Sequence, residues 1–262
     1  MRLPIYQVDA FADRVFGGNP AAVCPLNAWL PDAMMQAIAA ENNLAETAFL
    51  VPDGADYALR WFTPTVEVDL CGHATLASGH VVFAFLQPER DRVDFHTVKA
   101  GMLSVAKRGD LLVMDFPARP ATPIEPPPRL VAALGGRTPR EVLRARDHLV
   151  VYDSAAEVAA LKPDLAALAE LDCWAAIATA PGENGVDFVS RFFAPKQGVP
   201  EDPVTGSAHC TLVPYWAKRL GKAELEARQI SRRGGALSCA LHGDRVSIAG
   251  HAVLYLEGQI SI

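Results

Sequence analysis

Three side chains in this sequence stand where they could move protons. Glu46 lies in Glu41-Asn42-Asn43-Leu44-Ala45-Glu46-Thr47-Ala48-Phe49, where a helix ends on two asparagines and an apolar strand begins. A carboxylate there can act as a general acid/base on carbon once it is partly shielded from water. Read alone, the same Glu is an ordinary solvated side chain. His73, in Cys71-Gly72-His73-Ala74, falls in the first turn of a helix rich in small residues. It serves either proton transfer or a structural hydrogen bond. Asp202, in Glu201-Asp202-Pro203-Val204-Thr205-Gly206-Ser207, is a catalytic candidate and equally a cap for the helix that follows. Two helices open on glycine, at Gly72 and at Gly206, the second followed by Ser207. Free N–H groups and the positive end of the helix dipole make such starts receptive to a carboxylate. The missing Cβ lets a ligand approach the backbone closely. Each glycine alone reads as a plain helix start; the pair admits ligand binding on equal terms.

Other chemistries find no support. His80, His96, His148, His209, His242 and His251 show no H-E-x-x-H spacing, so no metal site is expected. No G-x-G-x-x-G and no P-loop is present, which leaves nucleotide cofactors unsupported. The absence of G-x-S-x-G argues against a serine hydrolase. The five cysteines (Cys24, Cys71, Cys173, Cys210, Cys239) are odd in number and form no C-x-x-C. Neither a disulfide framework nor a zinc ribbon is expected, and a reducing cytoplasm suits them.

The elements that must position these residues are legible in outline. Strands are expected over Leu3–Phe11, Ala21–Pro25, Glu46–Val51 and Tyr57–Phe62, with three more between Val93 and Phe116. Phe16-Gly17-Gly18-Asn19-Pro20 is turn chemistry, with glycines for positive φ and a proline to stop pairing. Helices are expected from Pro31 to Asn43, Gly72 to Leu86, Pro128 to Leu134, Ala155 to Leu171 and Gly206 to Leu220. Pro214 should break the hydrogen bond to residue 210 and kink the last of these. Strands are also expected near Leu149–Tyr152 and Trp174–Ala178, and over the last thirty residues.

Proline density then suggests a division. Pro117, Pro120, Pro123, Pro126, Pro127 and Pro128 crowd into twelve residues, a stretch expected neither to pair in a sheet nor to continue a helix. The expected domains are 1–117 and 129–262 around a proline-rich linker at 118–128, with the last strand free to cross back to the first domain. An internal echo supports two related halves. Arg60-Trp61-Phe62-Thr63-Pro64 precedes Cys71-Gly72-His73-Ala74, and Arg191-Phe192-Phe193-Ala194-Pro195 precedes Thr205-Gly206-Ser207-Ala208. Both carry the same motifs in the same order, which favours duplication over chance.

Composition bounds the rest. The chain has 262 residues, 50% hydrophobic and 21% charged, as a globular protein of one large or two small domains requires. Its net charge is -6, and the adjacent basic pairs Lys218-Arg219 and Arg232-Arg233 are too short for a phosphate track, so no nucleic-acid partner is expected. The longest strongly apolar stretch, Val81 to Leu86, falls far short of the roughly 18–20 residues a bilayer demands. The start, Met1-Arg2-Leu3-Pro4, is unlike a secretory signal. No membrane partner and a cytoplasmic location are therefore expected.

Four blocks, in order, are similar to a known family. They are Val8-Asp9-Ala10-Phe11 with Phe16-Gly17-Gly18-Asn19-Pro20, then Glu41 to Phe49, then Cys71-Gly72-His73-Ala74-Thr75, then Glu201 to His209. Together they resemble the PhzF-like family of phenazine-biosynthesis isomerases, relatives of diaminopimelate epimerase. The resemblance implies an α+β fold of two similar domains, each a curved, mostly antiparallel sheet or barrel around a central helix, with the active site between them. The central helices would start near Gly72 and Gly206. It further implies cofactor-free acid/base chemistry on a small carboxylate-bearing metabolite, in a homodimer. By position Glu46 looks like the proton-shuttling glutamate, His73 and Asp202 like its polar partners, and Gly72, Gly206 and Ser207 like the substrate-holding helix starts. One departure bears on the reaction. Diaminopimelate epimerase uses a cysteine at each helix start, whereas this chain has Cys71 at the first and Thr205 at the second. Thr is a poor base near neutral pH, so Cys71 reads more readily as a packing residue. A proton-shuttle isomerase is the leading expectation; an epimerase or racemase using Cys71, and a non-catalytic metabolite-binding protein, are the alternatives.

Overall fold

The computed structural model describes residues 1–262. The chain divides into two compact units, Met1–Asp115 with Ala249–Ile262, and Phe116–Ile248.

In the first unit, Arg2–Ala10 pairs antiparallel with Asn19–Pro25, which lies parallel to Glu46–Asp53. Glu46–Asp53 pairs antiparallel with Asp56–Phe62, which takes Glu67–Val68 antiparallel and Arg92–Thr97 parallel. Gly101–Arg108 follows antiparallel. In the second unit, Glu141–Arg144 pairs antiparallel with His148–Val151, which lies parallel to Ala176–Pro181. Ala176–Pro181 pairs antiparallel with Phe188–Ala194, which takes Val199–Asp202 antiparallel and Glu224–Gln229 parallel. Gly235–His242 follows antiparallel. The order of pairings is the same in both units, so the echo in sequence is an echo in topology. Each parallel step needs a crossover, and helices supply it. Helix Asp32–Asn42 bridges the first such step in one unit; the short helices Ala155–Ala160 and Leu165–Ala169 bridge its counterpart.

The motif that announced the echo also repeats in three dimensions. Arg60 donates from Nε and Nη2 to the two carboxylate oxygens of Glu67, at 2.6 and 2.8 Å. Arg191 donates in the same way to Glu201, at 2.7 and 2.9 Å. Each guanidinium also lies over the Phe two residues on, 5.2 Å from the Phe62 centroid and 4.8 Å from that of Phe193. A forked cation over an aromatic face ties each strand to the next before the helix begins.

Helices Gly72–Val81 and Gly206–Leu220 are central in their units. The first buries residues all round, from His73 to Gly79 and Val81, and packs against strands Arg2–Ala10, Asn19–Pro25, Glu46–Asp53 and Gly101–Arg108. A helix without a polar face has no solvent side. Its buried hydroxyls turn inward on the backbone, Thr75 to the Cys71 carbonyl at 2.6 Å and Ser78 to the Ala74 carbonyl at 2.7 Å. The second carries Trp216, fully buried, stacked on Phe188 and donating to the Thr179 hydroxyl at 3.0 Å.

Several local expectations give way to tertiary structure. The proline-rich stretch does pair: Thr122–Ile124 runs antiparallel to Val142–Arg144. Pro123 needs no N–H when its strand pairs on one side only. Pro20 does not stop pairing; it lies opposite Asp9, and its strand begins at Asn19. Positive φ falls on Phe16 and Gly18, not on Gly17. The helix expected over Ala155–Leu171 splits at Pro163, with Ser154 and Asp164 each capping one of the pieces. Beyond Val81 the first central helix widens into a π-helical turn, Val82–Leu86. The second runs past Pro214 to Leu220 as expected, and the Cys210 carbonyl that Pro214 deprives of a helical donor accepts the Arg119 backbone N–H at 2.8 Å.

Candidate active site

Strand period places the first group of side chains. Asn19 and Ala21 share one face of their strand, and Ala21 stands directly beside Glu46 in the parallel pairing. Asn19 and Glu46 therefore project to the same side, and His73 meets both. The His73 Nε2 is 3.0 Å from Glu46 Oε2, and Asn19 Nδ2 donates to His73 Nδ1 at 3.1 Å. Cys71 Sγ lies 3.5 Å from the same Nδ1. The His73 side chain is 5% exposed and that of Glu46 14%. The approach to Glu46 is set by the preceding helix, which stops at Asn43 in the left-handed conformation (φ 49°). Asn42 then ties the turn to the strand by donating to the Thr47 hydroxyl at 3.0 Å.

The electrostatics follow from burial and neighbours. Burial pushes the Cys71 thiol up to about 11, with the Glu46 charge adding to it, so Cys71 is a thiol at neutral pH. For His73 burial is the largest single influence and acts downward. The negative charges available on Cys71 and Glu46 together outweigh it and hold the imidazole above its ordinary range. With Cys71 protonated, Glu46 is the charge that matters at neutral pH. In the neutral ring Nδ1 accepts from Asn19 and the proton stands on Nε2, facing Glu46. The pair brings a buried imidazole nitrogen within 3.0 Å of a buried carboxylate oxygen.

Glu46, Cys71 and His73 have ligating atoms within 4.8 Å of one another, so a metal has to be considered. The donor geometry does not suit one. Imidazole turns Nε2 to Glu46 but Nδ1 to Cys71, and Nδ1 already accepts from Asn19. A metal binds along one nitrogen lone pair at about 2.0–2.1 Å and would have to draw both other ligands to the same ring edge.

The second group lies at the start of helix Gly206–Leu220. Asp202 accepts from the Thr205 hydroxyl at 2.5 Å. Gln229 braces this turn, accepting from the Thr205 N–H at 2.9 Å and donating to the Asp202 carbonyl at 2.7 Å. Asp202 is thus held against the residue before Gly206, and the cap and site readings of Asp202 describe one arrangement. Ser207 accepts from Arg146 Nη2 at 3.4 Å. His209, one turn on, is fully buried and donates from Nδ1 to the Thr205 carbonyl at 2.9 Å. Burial lowers its pKa to about 4, against the pull of that bond. The unfolded chain, with a His near 6.5, takes up the proton first as pH falls, so stability drains away between about 6.5 and about 4. The loss reaches up to about 3 kcal/mol. His209→Asn, whose amide can still donate to Thr205, should flatten this part of the curve in urea unfolding; an unchanged acid slope would contradict it.

The sequence profile of the family described as "Phenazine biosynthesis-like protein" matches residues 8–258. The chain belongs to this family. Among its relatives, one uncharacterized isomerase of Pseudomonas aeruginosa is 54% identical over 262 residues, all of both chains. A second from the same organism is 52% identical over 263 residues, again all of both chains. A solved PhzF-family phenazine biosynthesis protein from Enterococcus faecalis superposes with a TM-score of 0.97 at 48% identity, covering all of both chains. The family member described above is, like these relatives, an isomerase, and its α+β fold is theirs.

Of the residues expected from sequence, Glu46 and His73 come together, with Gly72 beside them at the helix start. Asp202, Gly206 and Ser207 form a second local group. Asn19 was legible only as part of a turn motif, with nothing to signal its bond to His73. Gln229 carries no local signal at all, because its partners lie twenty-four and more residues away.

Proposed function

We propose that this protein is a cofactor-independent isomerase that moves a proton between carbons of a small carboxylate-bearing metabolite, with Glu46 as general acid/base. The observation that carries the reading is the largely buried Glu46 in contact with His73 at 3.0 Å. The Glu46 carboxylate takes a proton from carbon, and the C–H electron pair enters the conjugated system as its double bond shifts. The same carboxyl then returns the proton to another carbon. No electron is gained or lost and no group is transferred. His73, held as a donor, orients Glu46 and supports negative charge developing on a substrate heteroatom. Asp202 acts on heteroatom protons, and Gly72, Gly206 and Ser207 hold the substrate carboxylate through helix-start N–H groups and the Ser207 hydroxyl. A cytoplasmic homodimer completes the proposal on family likeness alone.

A second reading, epimerisation with Cys71 as a base, draws on the Sγ to Nδ1 distance of 3.5 Å. Against it stand a thiol pushed up to about 11 and a threonine at the corresponding second position. The test begins with small carboxylic and amino acids screened by thermal shift. Ligands that stabilise the protein are then incubated with it in heavy water. The isomerase reading expects mass gain in the ligand and its persistence in Cys71→Ser. Exchange confined to a stereocentre and abolished in Cys71→Ser would favour the epimerase; stabilisation with no exchange would leave a binding protein.

A further inference from the structure

Gln229 ends the strand Glu224–Gln229 and is 1% exposed. A buried amide needs partners for its oxygen and for two N–H hydrogens, and Gln229 finds all of them at one turn. Oε1 accepts the Thr205 backbone N–H at 2.9 Å. Nε2 donates to the Asp202 backbone carbonyl at 2.7 Å and to the Thr205 hydroxyl at 3.2 Å.

These bonds fix a direction. A backbone N–H only donates and a backbone carbonyl only accepts, so the amide can sit only one way round. Its Nε2 therefore donates to Thr205 Oγ1, and the hydroxyl has a single proton left to place. That proton goes to Asp202 Oδ2, 2.5 Å away. The separation is that of a hydroxyl on an ionised carboxylate. The donors run from Gln229 through Thr205 to Asp202 and end on an oxygen that accepts.

The repeated scaffold does not call for this residue. The parallel pairing sets Tyr57 beside Phe95 in the first unit and Phe188 beside Ala227 in the second. Tyr57 and Phe188 each stand three residues before the arginine of the repeated motif, so Gln229 corresponds to Thr97. Thr97 spends its hydroxyl on its own hairpin, donating to the Gly101 carbonyl at 2.7 Å and accepting the Ala100 N–H at 3.0 Å. A strand end in this place serves its own turn in one unit. In the other it reaches back twenty-four residues to the start of a helix.

We propose that Gln229 is a positioning residue that acts through Thr205: it aims the Thr205 hydroxyl at Asp202 and so presents Asp202 to the substrate as a carboxylate that accepts a proton. This rests on the reading of Asp202 as the group that acts on heteroatom protons, and it gives that group a direction. It also commits the Thr205 hydroxyl to a fixed bond, which leaves it no part as a base.

The test is an NMR titration of the Asp202 carboxyl carbon in the whole, ligand-free protein, assigned by its loss in Asp202→Asn. A hydrogen bond donated to the ionised form holds a carboxyl's midpoint down, so losing the bond moves the midpoint up. Thr205→Val removes the hydroxyl and keeps the shape; it should raise the midpoint by about one pH unit. Thr205→Ser keeps the hydroxyl and should titrate like the wild type. Gln229→Met fills the same space and should raise the midpoint by about half a pH unit, although Gln229 does not touch the Asp202 carboxylate. In a Thr205→Val background the same substitution should add nothing, because the hydroxyl through which Gln229 acts is gone. The neighbouring Glu201 is paired with Arg191, and these substitutions touch neither. A purely structural role would give Gln229→Met the same shift with or without the hydroxyl. That result, an unmoved midpoint in Gln229→Met, or a Thr205→Ser that behaves like Thr205→Val would overturn the proposal. If Gln229→Met is too unstable to titrate, the isosteric Gln229→Glu runs the same cycle, and its effect must likewise shrink when residue 205 is changed to Val. The titration uses neither ligand nor turnover. Heavy-water exchange that survives Glu46→Gln would sink the isomerase and leave this result standing; a failed cycle beside intact Glu46-dependent exchange would sink the positioning role alone.

Discussion

Glu46→Gln should bind ligand and fail to turn it over. Gln keeps the shape of the side chain and its contact with His73 Nε2, but it cannot carry the proton between carbons. The expected fall in kcat is about 10²–10⁴-fold, the usual contribution of a positioned acid/base, with ligand affinity within about a factor of three. A second readout separates this from a general loss of structure. In the wild type Cys71 and Glu46 together hold His73 above its ordinary range against burial. Without the carboxylate less opposes burial, and the imidazole titrates at lower pH, visible by NMR. The sign of the stability effect follows. A His raised on folding contributes stability that is complete below the unfolded value of about 6.5 and is lost as pH rises through the folded value. The wild type should therefore lose stability relative to Glu46→Gln on the alkaline side of neutrality. Full activity in the variant would remove Glu46 from the mechanism.

Gly18→Ala should be the most damaging small substitution near the site. Gly18 has φ +61°, and a Cβ there would stand 2.1 Å from the Ala10 carbonyl oxygen and 2.9 Å from Ala12 Cβ. The oxygen cannot step aside cheaply, because Ala10 is paired with Asn19 and with Ala252. The left-handed conformation alone costs about 1–2 kcal/mol. With the backbone clash the total should reach about 4 kcal/mol, or a melting-temperature drop on the order of 10 °C. The damage reaches the site through the next residue, since Asn19 is the side chain that fixes His73 Nδ1. Gly54→Ala is the matched control: its φ is +64°, but nothing lies within 4 Å of the added Cβ. If the two variants melt together, the close approach at Gly18 is not what the structure depends on.

The two halves share an arrangement that sequence displayed only as a short string. Arg-aromatic-Phe became a forked ion pair over a ring in each unit, with Glu67 and Glu201 as the acceptors. Neither acceptor belongs to the string. Each is supplied by the strand that returns alongside it, at seven residues' distance in one case and ten in the other.

What the sequence determined by itself were features written in neighbouring residues. Small residues after Gly72 marked the first buried helix, apolar runs marked strands such as Tyr57–Phe62, and the motifs around Glu46, Gly72 and Gly206 marked the candidate residues. Tertiary structure decided whatever needed a partner far along the chain. It let a proline-rich stretch pair in a sheet, gave the Cys210 carbonyl left free by Pro214 an outside donor, and placed Asn19 and Gln229 against His73 and Thr205. The reason is physical. Local propensity and periodicity are properties of a window of a few residues, whereas a hydrogen bond, a burial or a shifted pKa depends on which distant groups the fold brings to the same point.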